Sequence, residues 1–253
     1  MWMVAGKSVI GTAHKKTGLP CQDFCGVRLL ESPCRLLLAI SDGAGSAKYA
    51  DKASKMAVDC LLNLMAAYTG ELSDIGEKEV LEWIAGVKSA LQIEADSVQG
   101  SLRDFSCTLL GALIQGTNGF FWQIGDGGWI VHTKGKKDVE VAFWPLSGEY
   151  INETVFVTSE NASEKRDYAF LKEIDAVLGF SDGIEHLVLD FPGNRVHEPF
   201  VQKIFTSLHH GVEATQVENA IEELLSSDLI NERTDDDKTM VLAWANAEPE
   251  NAS

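Results

Sequence analysis

The sequence predicts an α+β protein in which helices cover antiparallel sheets. Most short apolar runs are rich in Val, Ile, Phe and Trp and end at Gly- or Asp-containing turns, which is typical of hairpins. Segments with helical periodicity come as neighbouring pairs, whereas a doubly wound parallel sheet would alternate strands with helices. A chain of 253 residues that is 45% hydrophobic can bury a core of this kind.

The N-terminal part contains three β-rich runs, the last of which leads to an acidic turn. Residues 1–11 alternate weakly and residues 24–30 form a second run, while Gly and Pro in the polar stretch 14–20 predict a loop. Residues 36–40 are a buried strand that runs into Asp42 in the turn SDGAG. Burying a carboxylate without a partner costs several kcal/mol, so we expect Asp42 to meet a cation.

Two amphipathic helices follow, over residues 46–68 and 73–97, the second capped by Ser73 and Asp74. The remaining β-rich runs lie at 105–114, 120–124, 129–133, 139–144, 154–159, 176–180 and 239–245. A second pair of helices is predicted at 199–208 and 214–226. We predict a single domain over residues 1–245 and a disordered tail over 246–253.

Charge and cysteine content exclude several classes of protein. The formal net charge of −17 argues against nucleic acid as a partner, since such binding relies on Lys and Arg to neutralise phosphates. No apolar run approaches the ~18 residues of a membrane span, and no secretory leader is expected. The five cysteines lack the paired CxxC spacing of a zinc site, so we expect reduced thiols in a cytoplasmic protein. We also expect the protein to be a monomer.

Four apolar runs have an aspartate at one end: Asp42, Asp126 in IGDGG, Asp182 in FSDG, and Asp236 beside Asp237 in DDDKT. One Asp-Gly is an ordinary turn, but four acidic strand ends can converge where stacked sheets end. Clustered carboxylates repel one another unless a cation lies between them, and oxygen ligands favour Mg²⁺ or Mn²⁺. The pattern therefore indicates a site for several ions, with plain turn residues as the simpler interpretation.

These motifs resemble those of the metal-dependent type 2C protein phosphatases. SDGAG, IGDGG, FSDG and DDDKT occur in the order and at the intervals of that family, and LPCQD is similar to its acidic N-terminal motif. The resemblance extends from Gly11 to Trp244. It is greatest to a bacterial branch of the family, which is similar in four longer motifs: GTAHKKTGLPCQD, RDFSCT, GEYINET and NERTDDDKT. It implies a four-layer αββα sandwich of two antiparallel sheets flanked by helix pairs.

The resemblance also implies a set of metal-binding residues: Asp23, Asp42, Gly43, Asp126, Asp182 and Asp236. Asp42 would contact two Mg²⁺ or Mn²⁺ ions, with the Gly43 carbonyl on the first. Asp182 and Asp236 would complete the shell of the second.

Three further roles follow from the same resemblance. Asp23 would hold water bound to the metal. Asp126, with Asp182, would bind a third and weaker ion. Asp237 stands where the family often has Asn, and its implied role is only to orient Asp236 or the shell around it.

The sequence departs from the family in two places. Gly18 stands about where the family has an Arg that grips phosphate, and His14, Lys15 or Lys16 could substitute, of which we favour His14. Animal members have a His after the first Asp-Gly, thought to protonate the leaving group, whereas this chain has Ala44. The general acid is therefore His14, a metal-bound water, or absent.

We predict a Mg²⁺- or Mn²⁺-dependent phosphatase that removes phosphate from phosphoserine and phosphothreonine, with Asp42, Asp23 and His14 as catalytic residues. Two ions can activate a shared water and hold the phosphate oxygens during attack. The expected partners are a phosphorylated protein and a cognate Ser/Thr kinase. Three alternatives stay open: a phosphatase for a small phospho-metabolite, an inactive relative that binds phosphoproteins, and a structural calcium module.

Overall fold

The computed structural model describes residues 1–144, 154–208 and 212–246. In these ranges the strands are β1 (Trp2–Val9), β2 (Asp23–Glu31), β3 (Cys34–Asp42), β4 (Leu109–Gln115), β5 (Asn118–Ile124), β6 (Gly128–Thr133), β7 (Val139–Val141), β8 (Asp167–Leu171), β9 (Ile174–Phe180), β10 (Leu189–Asp190), β11 (Arg195–Val196) and β12 (Lys238–Ala245). The helices are α1 (Thr12–Thr17), α2 (Ala50–Ala67), α3 (Glu77–Ser97), α4 (Glu185–Val188), α5 (Glu198–Ser207), α6 (Ala214–Ser226) and α7 (Asp228–Asn231).

Ten of the strands form two five-stranded sheets. The first sheet has the order β1-β12-β9-β6-β7 and the second has the order β2-β3-β4-β5-β8. Every neighbouring pair is antiparallel. Because β5 belongs to the second sheet and β6 to the first, the turn between them crosses from one sheet to the other.

Three apolar clusters separate four layers. The cluster between the sheets includes the fully buried Trp129 of β6. Helices α2 and α3 pack on the second sheet through a cluster that includes Leu61 and Trp122, while α5 and α6 pack on the first sheet beside Leu242. Since the buried residues of α2 recur at helical spacing, one face of that helix meets the sheet. The predicted α+β sandwich with helix pairs on both faces is confirmed.

Helix α2 begins later than predicted. The expected start at Ser46 is wrong because residues 44–47 form a tight turn, in which the Ala47 N–H donates to the Ala44 carbonyl (2.7 Å). The helix begins at Ala50, and this delay leaves the backbone after Asp42 exposed to the cleft described below.

Helix α3 also begins later than predicted. Ser73 and Asp74 belong to a separate 3-10 turn over Leu72–Asp74 and do not cap the helix. The helix starts at Glu77, where the side chain of Glu79 accepts a hydrogen bond from the Gly76 N–H (3.0 Å).

The polar stretch that was predicted as a loop contains helix α1. Its sequence offers no apolar face, and none of its residues is buried, so periodicity could not reveal it. The helix ends at Gly18, whose φ of +72° is the left-handed conformation that glycine adopts readily.

The run 154–159 does not form the predicted strand. Its apolar residues pack elsewhere: Phe156 contacts the cluster of small residues that includes Ala44 and Ala50. The Val157 N–H donates to the Cys107 carbonyl (2.8 Å) outside the sheets. The edge of the second sheet is instead formed by β8, which the sequence analysis did not identify.

Two sequence-based expectations lie largely outside the described residues. These are the disordered tail beyond Asn246 and the motif GEYINET apart from Thr154. Among the helices that the structure describes, none is long and apolar enough to cross a membrane. All five cysteines are free thiols.

Candidate metal centre

The acidic strand ends meet at one edge of the sandwich. They line a cleft of about 190 Å³ together with residues of α1 and of the 154–156 segment. The lining residues are His14, Gln22, Asp42, Gly43, Ala44, Gly45, Asp126, Thr154, Phe156, Asp182 and Asp236. Of the residues singled out from the sequence, Asp23 lies behind this lining, while Lys15 and Lys16 point to solvent.

The second sheet contributes Asp23 and Asp42. They are directly opposite in the β2–β3 register, so the hairpin brings the two carboxylates together. Asp23 is 4% exposed, and its Oδ2 accepts hydrogen bonds from Ser181 Oγ (2.6 Å) and Thr239 Oγ1 (2.8 Å). Ser181 follows β9 and Thr239 lies in β12, both strands of the first sheet, so these hydrogen bonds connect Asp23 of the second sheet to the first.

The first sheet contributes Asp182 and Asp236, which follow β9 and precede β12. These strands are antiparallel neighbours, so the end of one lies beside the start of the other. The approach is very close at Gly183, where an added Cβ would lie 1.8 Å from the Asp237 carbonyl oxygen. Glycine is therefore required at position 183 for the two acidic segments to meet.

Asp126 lies in the turn that crosses between the sheets. Gly125 and Gly127 on either side have φ of +94° and +88°, which side-chain-bearing residues rarely adopt. Thr154 Oγ1 donates to Asp126 Oδ2 (2.7 Å) and so fixes the carboxylate toward the cleft. The motif IGDGG is thus explained by backbone conformation on both sides of its aspartate.

The backbone after Asp42 is also available to a ligand. Among the described residues, no hydrogen bond is donated to the Gly43 carbonyl oxygen. A Cβ at position 43 would lie 2.4 Å from the Ala50 carbonyl oxygen, so the residue must be glycine for α2 to begin where it does. The adjacent Ala44 is an apolar wall of the cleft and offers no proton donor from its side chain.

Burial, together with repulsion between neighbouring carboxylates, disfavours the charged form of three aspartates at this site, Asp23, Asp42 and Asp182. Burial raises the pKa of Asp42 well above its ordinary value, and the charges of Asp23 and Asp182 add to that effect. Burial raises the pKa of Asp182 to about 8, with further contributions from Asp126 and Asp236. Burial also raises the pKa of Asp23 to about 6. A cation in the cleft would relieve this repulsion.

Glu185 belongs to the same acidic group and was missed in the sequence analysis. Burial and the charge of Asp126 raise its pKa to about 7. The available signal was its position three residues after Asp182 at a helix start, where i and i+3 side chains share a face.

Asp237 does more than the resemblance implies: its N–H donates to Oδ1 of Asp236 (2.8 Å), and its side chain makes further contacts. The residue is 1% exposed, and its carboxylate accepts hydrogen bonds from the Gly11 N–H (2.6 Å) and the Gln22 N–H (2.5 Å). Its Oδ2 also lies 2.9 Å from Nδ1 of His14. Asp237 therefore holds α1 and its histidine at the rim of the cleft.

The donor atoms fit a hard divalent cation. Oδ1 of Asp23 and Oδ1 of Asp182 are buried without a hydrogen-bond partner, which is costly for a carboxylate unless something else binds it. In the described ranges, Lys and Arg form no ion pair with Asp23, Asp42, Asp126, Asp182 or Asp236. Within the same ranges, no three His, Cys, Asp or Glu side chains already lie close enough together to form a complete set of metal ligands. Oxygen-rich donor sets of this type suit Mg²⁺ and Mn²⁺.

Comparisons with known proteins agree with this architecture. A family model described as Protein phosphatase 2C matches residues 10–226. The chain is 32% identical over 257 residues to serine/threonine-protein phosphatase 3 of Escherichia coli (strain K12), covering 96% of this chain and 99% of that relative.

Solved structures show the same fold. The S. agalactiae serine/threonine phosphatase is 17% identical, with 97% of this chain and 100% of that chain covered at a TM-score of 0.68. The catalytic domain of the serine threonine protein phosphatase PstP, in complex with 2 manganese ions, is 16% identical, with 96% and 97% covered at a TM-score of 0.65.

Proposed function

The chain belongs to the protein phosphatase 2C family, and from this membership we propose that it hydrolyses phosphoserine and phosphothreonine in proteins with bound Mg²⁺ or Mn²⁺. One observation carries the proposal: strand ends of both sheets place carboxylates in a single cleft, with orphaned buried oxygens and no basic ion-pair partner in the described chain. Such a cleft attracts divalent cations, because a bound cation offsets the repulsion among its carboxylates.

The residues that would hold the ions are those at the strand ends. Asp42 and the Gly43 carbonyl would hold the first ion, and Asp42 with Asp182 and Asp236 the second. Asp126 and Asp182 would hold a third, weaker ion. When bound, such ions supply a nucleophilic water at neutral pH and neutralise the phosphate oxygens, which suits a slow phosphate-ester hydrolysis.

The chain's own residues prepare the cleft for this chemistry. Asp23 has one oxygen fixed by Ser181 and Thr239, so its free Oδ1 is the atom that would orient a water of the site. His14 lines the cleft with one ring nitrogen fixed by Asp237. We propose Asp42, Asp23 and His14 as the catalytic residues.

The size of the cleft favours a protein substrate over a small metabolite. At about 190 Å³ it is smaller than the roughly 300–1,000 Å³ of sites that enclose a small molecule. It would admit the phosphorylated tip of a side chain whose backbone stays outside. A cognate Ser/Thr kinase, a single domain over residues 1–245, a monomeric state and a cytoplasmic location belong to the same proposal.

The test compares phosphothreonine and phosphoserine peptides with small phosphate esters of metabolites, with Mn²⁺ or Mg²⁺ and with EDTA. We expect metal-dependent release of phosphate, with kcat/KM highest on the peptides. A higher kcat/KM on a metabolite ester than on the peptides would mean that the substrate is a small molecule and not a protein. Absence of turnover by folded, metal-loaded protein on all of them would favour the inactive phosphoprotein-binding relative.

A further inference from the structure

His14 and Asp237 form a pair whose arrangement suggests more than packing. We propose that Asp237 is a positioning residue that directs Nε2 of His14 into the cleft, where it gives a proton to the leaving oxygen of the substrate. This inference rests on the proposed function and assigns a role to Asp237 beyond orienting Asp236. Asp237 touches neither substrate nor reacting atoms, and its proposed effect on proton transfer passes through His14.

Asp237 fixes the histidine ring from behind. Its carboxylate is 1% exposed and receives three donors, the Gly11 N–H, the Gln22 N–H and Nδ1 of His14. A carboxylate accepts hydrogen bonds and donates none when ionised, so the proton between the two groups belongs to Nδ1. The ring plane is thereby set with Nδ1 as the donor to Asp237, and Nε2 is the nitrogen left for a ligand.

The backbone around the pair leaves the ring little freedom to move away. The Ala13 N–H donates to the Asp235 carbonyl (2.9 Å), which fastens α1 to the acidic segment. At Gly11 an added Cβ would lie 2.3 Å from the Asp236 carbonyl carbon, so the two backbones are in direct contact. The His14 side chain is 16% exposed, and it lines the cleft shared with Asp236.

His14 is suited to proton delivery in a way that the other described lining side chains are not. The carboxylates are required as metal ligands, and the Thr154 hydroxyl already donates to Asp126. The amide of Gln22 does not exchange a proton readily, and Ala44 and Phe156 have none to give. Histidine with a carboxylate on Nδ1 and a free Nε2 is a recurrent proton-transfer arrangement in enzymes.

The proposed step balances as follows. A water oxygen forms the new P–O bond, and the bond from phosphorus to the serine or threonine oxygen breaks, with its electron pair going to that oxygen. For this step His14 is in its imidazolium form, with one proton on each ring nitrogen. The Nδ1 proton stays in the hydrogen bond to Asp237, and the Nε2 proton moves to the departing oxygen, which leaves as a neutral alcohol. The proton lost by the attacking water passes to solvent, and His14 regains one from solvent before the next turnover.

Leaving-group dependence separates this role from a structural one or from a simple phosphate contact. An alkoxide leaves poorly without a proton, whereas the nitrophenolate of p-nitrophenyl phosphate is stable enough to leave unaided. We expect His14→Gln to lower kcat on a phosphothreonine peptide by about 100-fold, within the usual range for a general acid, and on p-nitrophenyl phosphate by less than about threefold. Asp237→Asn should show a smaller loss with the same selectivity.

Two controls make the outcome decisive. The first control is His132→Gln, which removes the imidazole of another His–Asp pair, His132 with Asp175 (2.5 Å). Since this pair does not line the cleft, the substitution should leave kcat on both substrates unchanged. Free imidazole should restore peptide turnover to His14→Ala while changing its p-nitrophenyl phosphate activity little. Free imidazole can replace a missing proton donor but not a missing structural contact. Rescue therefore distinguishes a proton-transfer role of His14 from a structural one.

Equal losses on both substrates, or no loss, would overturn the inference while leaving the phosphatase intact. If wild type itself hydrolyses neither ester, the proposed function fails, and this inference fails with it. Should Asp237→Asn not fold, the histidine nitrogen NMR spectrum of the Mg²⁺-loaded wild-type protein decides its role. We expect a hydrogen-bonded Nδ1 proton that His14→Gln removes, and an unprotonated Nδ1 would refute the positioning by Asp237.

Discussion

Replacing Asp42 with asparagine is expected to lower metal-dependent kcat by at least about 10³-fold, the upper end of the loss from removing one charge-stabilising group in an active site. Asp42 is the one side chain proposed to contact both ions, and the neighbouring Gly43 carbonyl can hold neither alone. The substitution also removes a negative charge whose attraction offsets the free-energy cost of dehydrating the ions. Steady-state kinetics on a phosphothreonine peptide over a series of Mn²⁺ concentrations measures the loss.

Asp138→Asn is the matched control because it removes the same charge from an exposed residue before β7, away from the cleft. It should retain wild-type kcat and the wild-type dependence on Mn²⁺. If Asp42→Asn, correctly folded, kept more than about a tenth of wild-type kcat at saturating Mn²⁺, the loss would be far below that expected for a bridging ligand, and the assignment of Asp42 would be wrong.

The metal-free protein is expected to become less stable as pH rises from about 5 to about 8, which is opposite to the effect of ordinary paired carboxylates. The folded-state pKa of Asp23 is about 6 and that of Asp182 about 8, both above their ordinary value of 3.8. Groups with raised pKa stabilise the fold below their unfolded pKa, and that stability is lost as pH rises through the folded pKa.

Thermal unfolding in EDTA and in Mn²⁺ across this pH range measures the effect. Mn²⁺ should remove most of the pH dependence, since it binds the folded carboxylates and stabilises the native state by mass action.

Asp182→Asn should raise the stability of the metal-free protein near pH 8, because it removes a repelling charge, and should reduce the stabilisation by Mn²⁺. Stability of the metal-free wild type that is flat or rising over this pH range would contradict the proposed crowding of carboxylates.

Much of the fold could be predicted because its signals are local. The β-rich runs around Trp122, Trp129 and Leu242 are apolar and short, and their turns contain the glycines that hairpins need. Helices α2 and α3 have clear apolar faces. Their starts were misplaced because tertiary contacts, not capping residues alone, determine where each helix begins.

The acidic residues of the centre could be predicted for a similar reason. Asp42 and Asp182 each follow a buried strand and precede a glycine, so the sequence marks them without knowledge of their neighbours. Gly183 is explained only by the structure, since the requirement for it comes from the Asp237 carbonyl, more than 50 residues away along the chain.

The remaining parts could not be predicted because they depend on contacts between distant segments. Helix α1 has no apolar periodicity, and its place is set by hydrogen bonds to Asp237 across 223 residues or more. The run at 154–159 has a strand-like sequence, yet Phe156 packs beside Ala44. Glu185 joins the acidic group through three-dimensional proximity to Asp126, which no motif records.

The central claim is that the carboxylates of both sheets bind divalent ions between them. Anomalous scattering from crystals of wild-type protein grown with Mn²⁺ locates such ions directly. We expect two strong peaks about 3.5–4 Å apart, with Asp42 next to both and Asp182 and Asp236 next to one. The absence of Mn²⁺ from this cleft, or a single ion bound without Asp42, would contradict the account.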